Sequence, residues 1–241
     1  MIRRTRLMFR GSLVWPAVVS AMLCLLSLRD MSYGAERQTL AVFYFENNSL
    51  MDKEMLEPLK KGLTDMLITE LSRIDAFEVV ERTKLQSIME EMALGMSGVV
   101  DLATAQETGN LLGAQTILFG SFAKGFDKKI RLDVRIVETE TGRTIKAEEV
   151  TDRPKKLFKM VRTLTERIAR NLDVELTKAD KKRMGKGGPS FDAALYYAKG
   201  LDLHDQGVLQ QALEMYQKAL AADSKFEAAK QKVAEIEAAM E

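Results

Sequence analysis

Thr39-Leu-Ala-Val-Phe-Tyr-Phe45 is an unbroken apolar run of strand-forming residues. A strand that is apolar on both faces must be covered on both, so the run calls for a sheet sandwiched between helices. The next stretch supplies a helix. Leu56, Leu59, Leu63, Met66/Leu67, Leu71 and Ile74 recur at spacings of three and four, one apolar stripe, with Pro58 tolerable only near the start. Phe77–Val80 reads as a second strand, and Arg82–Met92 as a helix with Leu85, Ile88, Met89 and Met92 inward. Asp101 is the expected N-cap of a third helix over 102–112, which Gly113 stops. Gln115–Ala123 is again a strand.

The period then changes. From Lys129 to Ile136 apolar and charged residues alternate strictly, with Ile130, Leu132, Val134 and Ile136 on one face and Arg131, Asp133 and Arg135 on the other. A strand with one wet face belongs to an antiparallel pair. Glu140-Thr-Gly-Arg143 supplies a hairpin in which Gly142 takes the positive φ, and a weaker strand returns over about 144–150. After Pro154 a helix to about 176 turns Leu157, Met160/Val161, Leu164, Ile168 and Leu172 inward. The order β-α-β-α-α-β-β-β-α, with right-handed crossovers, predicts an α/β domain over 36–176. Its mixed five-stranded sheet has the first three strands mainly parallel and the last two added as a meander.

The amino end reads as an address. Arg3, Arg4, Arg6 and Arg10 precede an apolar run from Leu13 to Leu28, and Gly34 and Ala35 are small enough for cleavage. This is the pattern of a secretory signal over 1–35, and an uncleaved anchor is the alternative. Cys24 raises a lipoprotein as a third reading, but it sits within the apolar run, without small residues before it or a polar stretch after it. Without residues 1–35 the chain loses five arginines and Asp30; 36 positive residues fall to 31 and 35 negative to 34, a net charge of −3. No cysteine then remains, which suits an oxidising exported compartment.

Residues 177–190 read as a basic linker, either solvated or a patch for anionic lipid or glycan, through Lys178, Lys181, Lys182, Arg183 and Lys186. From 191 to 241 the pattern is helical. Tyr196, Gly200, Leu203, Gly207, Ala212, Tyr216 and Ala219 fall on the spacing of a tetratricopeptide repeat, with Phe226–Met240 as a capping helix. A solitary repeat buries little surface, so it is expected to dock on the main domain, on a second copy or on a partner. The concave face of its first helix offers Tyr197, Leu201, His204 and Asp205 as candidate partner-binding residues.

Three blocks carry a family resemblance: Phe45-Glu-Asn-Asn-Ser49; Phe77-Glu-Val-Val-Glu-Arg-Thr-Lys-Leu-Gln-Ser-Ile-Met-Glu-Glu91; and the glycine-punctuated stretch from Ser97 to Ser121. Together they resemble the CsgG family of envelope proteins over about 39–170. The resemblance implies a periplasmic protein tied to outer-membrane assembly, with envelope or secretion proteins as partners, homo-oligomers and peripheral outer-membrane association within its range. The family's curli secretion channel inserts long membrane hairpins. Here Ala123-Lys-Gly-Phe-Asp-Lys-Lys129 is a short connection, and residues 129–138 alternate but lack aromatic girdles.

Chemistry-bearing patterns are sparse. One histidine, His204, and one cysteine, Cys24, argue against imidazole or thiolate metal cages and disulfide frameworks. The charge balance gives no pull toward nucleic acid. Gly109-x-x-x-Gly113 reads as close packing rather than a phosphate loop, and Met89 and Met92 as core rather than soft-metal ligands. The expectation is a non-enzymatic protein without cofactor or metal, working in envelope assembly or surface-polymer export by protein–protein contact. An outer-membrane channel subunit and a regulator of a cell-wall synthase are the alternatives.

Overall fold

A computed structural model describes residues 37–92, 102–185 and 187–240. The Thr39–Phe45 run begins as β1 (Gln38–Val42), which pairs in parallel with β3 (Phe77–Val79) on one side and β4 (Thr116–Lys124) on the other. β5 (Ile130–Glu138) and β6 (Thr144–Asp152) follow as antiparallel neighbours, giving the order β3-β1-β4-β5-β6. This is the mixed sheet the sequence implies, with one addition. Residues 45–49, expected only to turn the chain, contain a sixth strand, β2 (Glu46–Asn47), parallel to β4 with Glu46 opposite Ser121. The reason is length: β4 runs beyond the end of β1, and the chain returns to the ladder positions β1 leaves unpaired.

The expected first helix is split by Pro58 into α1 (Lys53–Leu56) and α2 (Leu59–Leu71), because proline can occupy only a helix start. Next come α3 (Arg82–Glu91) and α4 (Leu102–Leu112), then α5 (Leu157–Asn171) after β6. Gly113 leaves α4 at φ 68° and Gly142 turns the β5–β6 hairpin at φ 68°. Two apolar layers result. Leu40, Val42, Leu118 and the inward residues of β5 pack under α2 and α5. Ala41, Phe43 and Ile117 pack under α3 and α4 through Leu85, Met89, Ala105 and Leu112. Gly109 brings α4 onto the sheet: a Cβ there would lie 2.7 Å from Ile117 Cδ1. The N-cap assigned to Asp101, the residues from 97 to 100 in the third family block, Lys186, Cys24 and the signal segment lie outside the described residues.

The carboxyl part departs from the expected linker. α5 stops at Asn171, and Thr177 opens α6 (Lys178–Met184) through a reciprocal capping box with Asp180. Arg183 turns back to Asp180 and to Asp75 at 2.7 Å, and its Nε donates to the Arg73 carbonyl at 2.8 Å. These bonds tie one of the expected basic residues to the α2–β3 connection while its side chain stays exposed. Ser190 Oγ then caps α7 (Phe191–Asp205), accepting from the Ala193 N–H at 3.2 Å. α8 (Leu209–Ala222) and α9 (Glu227–Met240) complete the chain. Residues Arg37–Glu241 form one compact unit. The reason is visible in the core: Ala194, Leu195 and Ala198 of α7 share the apolar layer of α2 and α5.

Candidate functional site

The sequence-derived partner face falls where the helical tail meets the α/β layers. Gly62 on α2 allows the close approach, since a Cβ on it would be 2.6 Å from Ala198 Cβ. Around this contact sit charged groups from both sides. Lys61 Nζ lies 2.7 Å from Asp202 and 2.9 Å from Asp205. Arg82, on α3, donates to both oxygens of Asp205 at 2.8 and 3.0 Å. It also reaches Gln86 Oε1 at 3.2 Å and Asp65 at 3.7 Å. The Tyr197 hydroxyl donates to Asp65 Oδ2 at 2.8 Å.

The geometry places Tyr197, Leu201 and Asp205 within the junction, with His204 at its margin. Tyr197 and Leu201 are buried at 2% and 0% exposure, and the Tyr197 ring lies 4.8 Å from Phe226 and 5.5 Å from Tyr216. Asp205 is spent on Arg82 and Lys61. His204 keeps partial exposure and meets the edge of Tyr216 at 6.3 Å. The physical cause is that Lys61 and Arg82 point into the junction, where a buried cation is tolerable only against a carboxylate. The face that would line a free repeat's groove is used to satisfy them.

Burial opposes the charge on Arg82, but the Asp205 carboxylate outweighs it and holds the guanidinium above its ordinary range. Lys61 follows the same pattern: burial lowers it, Asp202 and Asp205 more than compensate, and the net direction is up. Burial raises the Asp65 carboxyl despite Tyr197 and Arg82. Burial, then Asp65, raises the Tyr197 hydroxyl. Arg82, Lys61 and Tyr197 are thus all held in their protonated forms. The bonds of the cluster fasten the helical tail to the α/β layers.

Two other surfaces are open. Among the described residues, the face of the β4–β6 half of the sheet opposite α5 forms a concavity of about 480 Å³, bordered by Leu102. Arg131 is held there by Asp133 and Glu149, each at 2.6 Å, while Arg135 is exposed between Phe119 and Ala147. At the far end of β4, Leu50 and Phe126 are 70% and 75% exposed, with Met51 and Met55 beside Leu50 in the chain. Hydrogen bonds from the Leu50 and Met51 N–H groups to the Lys124 carbonyl bring the two loops together. Among the described residues no group of three or more His, Cys, Asp or Glu is placed to hold a metal ion, and no helix is long and apolar enough to cross a membrane.

Lys61, Asp65 and Arg82 were missed as site residues by the sequence reading. No local signal marked them: Lys61 and Asp65 lie four residues apart on the face of α2 opposite Leu63, a spacing that reads as an ordinary solvated helix face.

The family model of the curli production assembly/transport component CsgG matches residues 22–131. No curated protein matches the chain. Among solved structures, the LpoB C-terminal domain from Salmonella enterica is similar at 16% identity, covering 55% of this chain and 95% of that one, with a TM-score of 0.36. The Escherichia coli LpoB structure is 15% identical over 63% of this chain and 75% of that one, with a TM-score of 0.40. The PelC dodecamer from Paraburkholderia phytofirmans is 11% identical over 58% of this chain and 91% of that one, with a TM-score of 0.36.

Proposed function

We propose that this chain is an exported cell-envelope protein that works by contact rather than catalysis, as an accessory in envelope assembly or surface-polymer export. The observation that carries the reading is the CsgG family match over residues 22–131. The address read in residues 1–35, positive then apolar then small, agrees with it. A pore subunit is the less favoured form. The β4–β5 and β5–β6 connections, residues 125–129 and 139–143, are tight turns closed by hydrogen bonds from the Gly125 N–H to the Lys129 carbonyl and from the Gly142 N–H to the Glu138 carbonyl. A membrane-spanning hairpin needs about 9–11 residues per strand beyond the globular sheet, and neither turn provides them.

The tail is read as one tetratricopeptide-like repeat with a capping helix. Gly200 faces the Tyr216 ring, where a Cβ would come within 2.5 Å, and Gly207 turns α7 into α8 at φ 74°. In this reading the repeat braces the α/β layers, and contacts with partners fall on the exposed sheet face and the Leu50–Phe126 end.

The test is photo-crosslinking in living cells from a residue on each surface, Arg135 and Phe126, with His204 as a tail control. Adducts with one envelope or secretion protein from either surface support the reading. Adducts only with cytosolic enzymes, or none from either surface while the protein is abundant, overturn it.

A further inference from the structure

The sheet has two edges, and only one is protected by being short. β3 closes one side after three residues, whereas β6 closes the other with nine, Thr144–Asp152, and carries no proline. A long free edge offers its backbone groups to another strand. We propose that β6 pairs with β6 of a second copy of this chain, antiparallel about a two-fold axis at Ala147, so that one sheet runs through both copies.

The direction of each backbone group on the edge follows from the ladder. In an antiparallel pair, alternate residues bond to a given neighbour. The Thr139 N–H donates to the Gln115 carbonyl beside β4, and the Glu138 N–H donates to the Arg143 carbonyl beside β6. Odd-numbered residues of β5 therefore bond to β4 and even-numbered ones to β6. The β6 partners of the even residues are Lys146, Glu148, Val150 and Asp152. The N–H and C=O groups of Ala147, Glu149 and Thr151 thus point away from β5. The Glu149 carbonyl agrees with this, because it accepts from Arg167 Nη1 at 2.7 Å, and it keeps a second lone pair. Among the described residues no strand pairs with this row.

Charge selects both the partner and the register. A two-fold axis sets β6 antiparallel to itself, and registers that pair five or more of its nine residues are centred on Lys146, Ala147, Glu148, Glu149 or Val150. Centring on Lys146 puts that lysine against itself. Centring on Glu148 or Glu149 puts a glutamate against itself, and centring on Val150 puts Glu148 against Asp152. Like charges directly opposite are destabilising, and opposite ones stabilise. Only the Ala147 register has no such clash, and it sets Lys146 opposite the partner's Glu148 twice, once on each side of the axis.

The two members of that pair are ready for it. Lys146 is exposed, and among the described residues no acid lies within ion-pair distance of it. Glu148 is 16% exposed and already held in place, with Oε1 accepting from Asn171 at 2.9 Å and Oε2 from Arg167 at 3.3 Å. Each oxygen still has accepting capacity for a lysine. An edge lysine ordinarily repels a second strand; in this register it meets a fixed carboxylate instead. Ile145, 37% exposed, lies two residues from the axis and gains cover in the pair. The pairing depends on the sheet alone and not on the compartment proposed above.

The experiment is disulfide trapping in the full chain carrying Cys24→Ser, oxidised with copper phenanthroline in freshly opened cells and read on non-reducing gels. Residues that exchange hydrogen bonds across the axis have Cα atoms about 5.5 Å apart, and the flanking pairs about 4.5 Å, both within disulfide reach. Ala147→Cys should give an adduct of twice the chain mass. Lys146→Cys and Glu148→Cys should link to each other when produced together, and far less when either is produced alone. Glu214→Cys, exposed on α8, reports random collision and should stay monomeric. Adding Lys146→Glu to the Ala147→Cys chain should cut the adduct about fivefold or more, since two attractive pairs become repulsive. An Ala147→Cys adduct no stronger than that of Glu214→Cys, or one of another mass, would overturn the assignment to a second copy. A stronger self-adduct from Glu148→Cys or Glu149→Cys, or no effect of Lys146→Glu, would overturn the register.

Discussion

Asp205→Ala removes the carboxylate on which the junction is built. Arg82 is 5% exposed, Asp205 8% and Lys61 9%, so none can turn to water without moving the tail. The substitution deletes two charge-assisted hydrogen bonds to Arg82, at 2.8 and 3.0 Å. It leaves the guanidinium with Asp65 at 3.7 Å as its nearest counter-charge. Lys61 is hurt less, because Asp202 remains at 2.7 Å. Breaking one partner of a buried pair costs about 3–5 kcal/mol, mainly through the cation left behind. For a chain of this length that corresponds to a fall in Tm of about 6–20 °C. Urea unfolding followed by far-ultraviolet circular dichroism measures the free energy, and a thermal scan the midpoint. The companion variant Arg82→Met with Asp205→Leu removes the stranded guanidinium and should recover part of the loss, Lys61 keeping Asp202 and Asp65 keeping the Tyr197 hydroxyl. A cost below about 1 kcal/mol for Asp205→Ala, the value of an exposed pair, would refute the claim that this cluster is desolvated and fastens the tail.

Gly62→Val should force α7 off α2, since even a Cβ would approach Ala198 to 2.6 Å; brief trypsin treatment should then release the tail, while the parent resists. Gly200→Ala places a methyl 2.5 Å from the Tyr216 ring; overpacking of about 1–3 kcal/mol outweighs the gain of about 1 kcal/mol in helix propensity, so thermal stability should fall. Burial alone would raise the Asp180 carboxyl, but hydrogen bonds from Thr177, the Asp75 N–H and Arg183 outweigh it and hold the group below its ordinary value. A carboxyl depressed in the folded state stabilises above its unfolded pKa and loses that contribution as pH falls through the folded one. The advantage of the parent over Asp180→Asn should therefore be full at pH 7, begin to shrink near about pH 4 and vanish only once the pH is below the depressed folded value, as read by a series of urea titrations from pH 7 into acid.

Much of the α/β part was legible because its signals are local and periodic. The Thr39–Phe45 run, the α2 stripe and the alternation from Lys129 to Ile136 each have one solution in burial terms, and the sheet order follows from them. β2 was not legible. A two-residue strand has no period of its own, and its pairing with Ser121 and Phe122 depends on how far β4 outruns β1. α6 was hidden for another reason. Its composition is that of a solvated basic segment, and only the Thr177–Asp180 box and the reach of Arg183 to Asp75 convert it into a docked helix. The surroundings of the candidate residues were hidden at the same level. Helical spacing placed Tyr197, Leu201 and Asp205 on one face correctly, but which surface covers that face is decided by Gly62, Lys61 and Arg82, far away in the chain.

The claim on which the functional account depends is that the protein works after leaving the cytosol. Fusing alkaline phosphatase, which is active only after export, to the end of the full chain tests this directly in a Gram-negative host. The account predicts phosphatase activity in intact cells, abolished when residues 1–35 are deleted. An abundant, stable and inactive fusion recovered from the cytosol would contradict it.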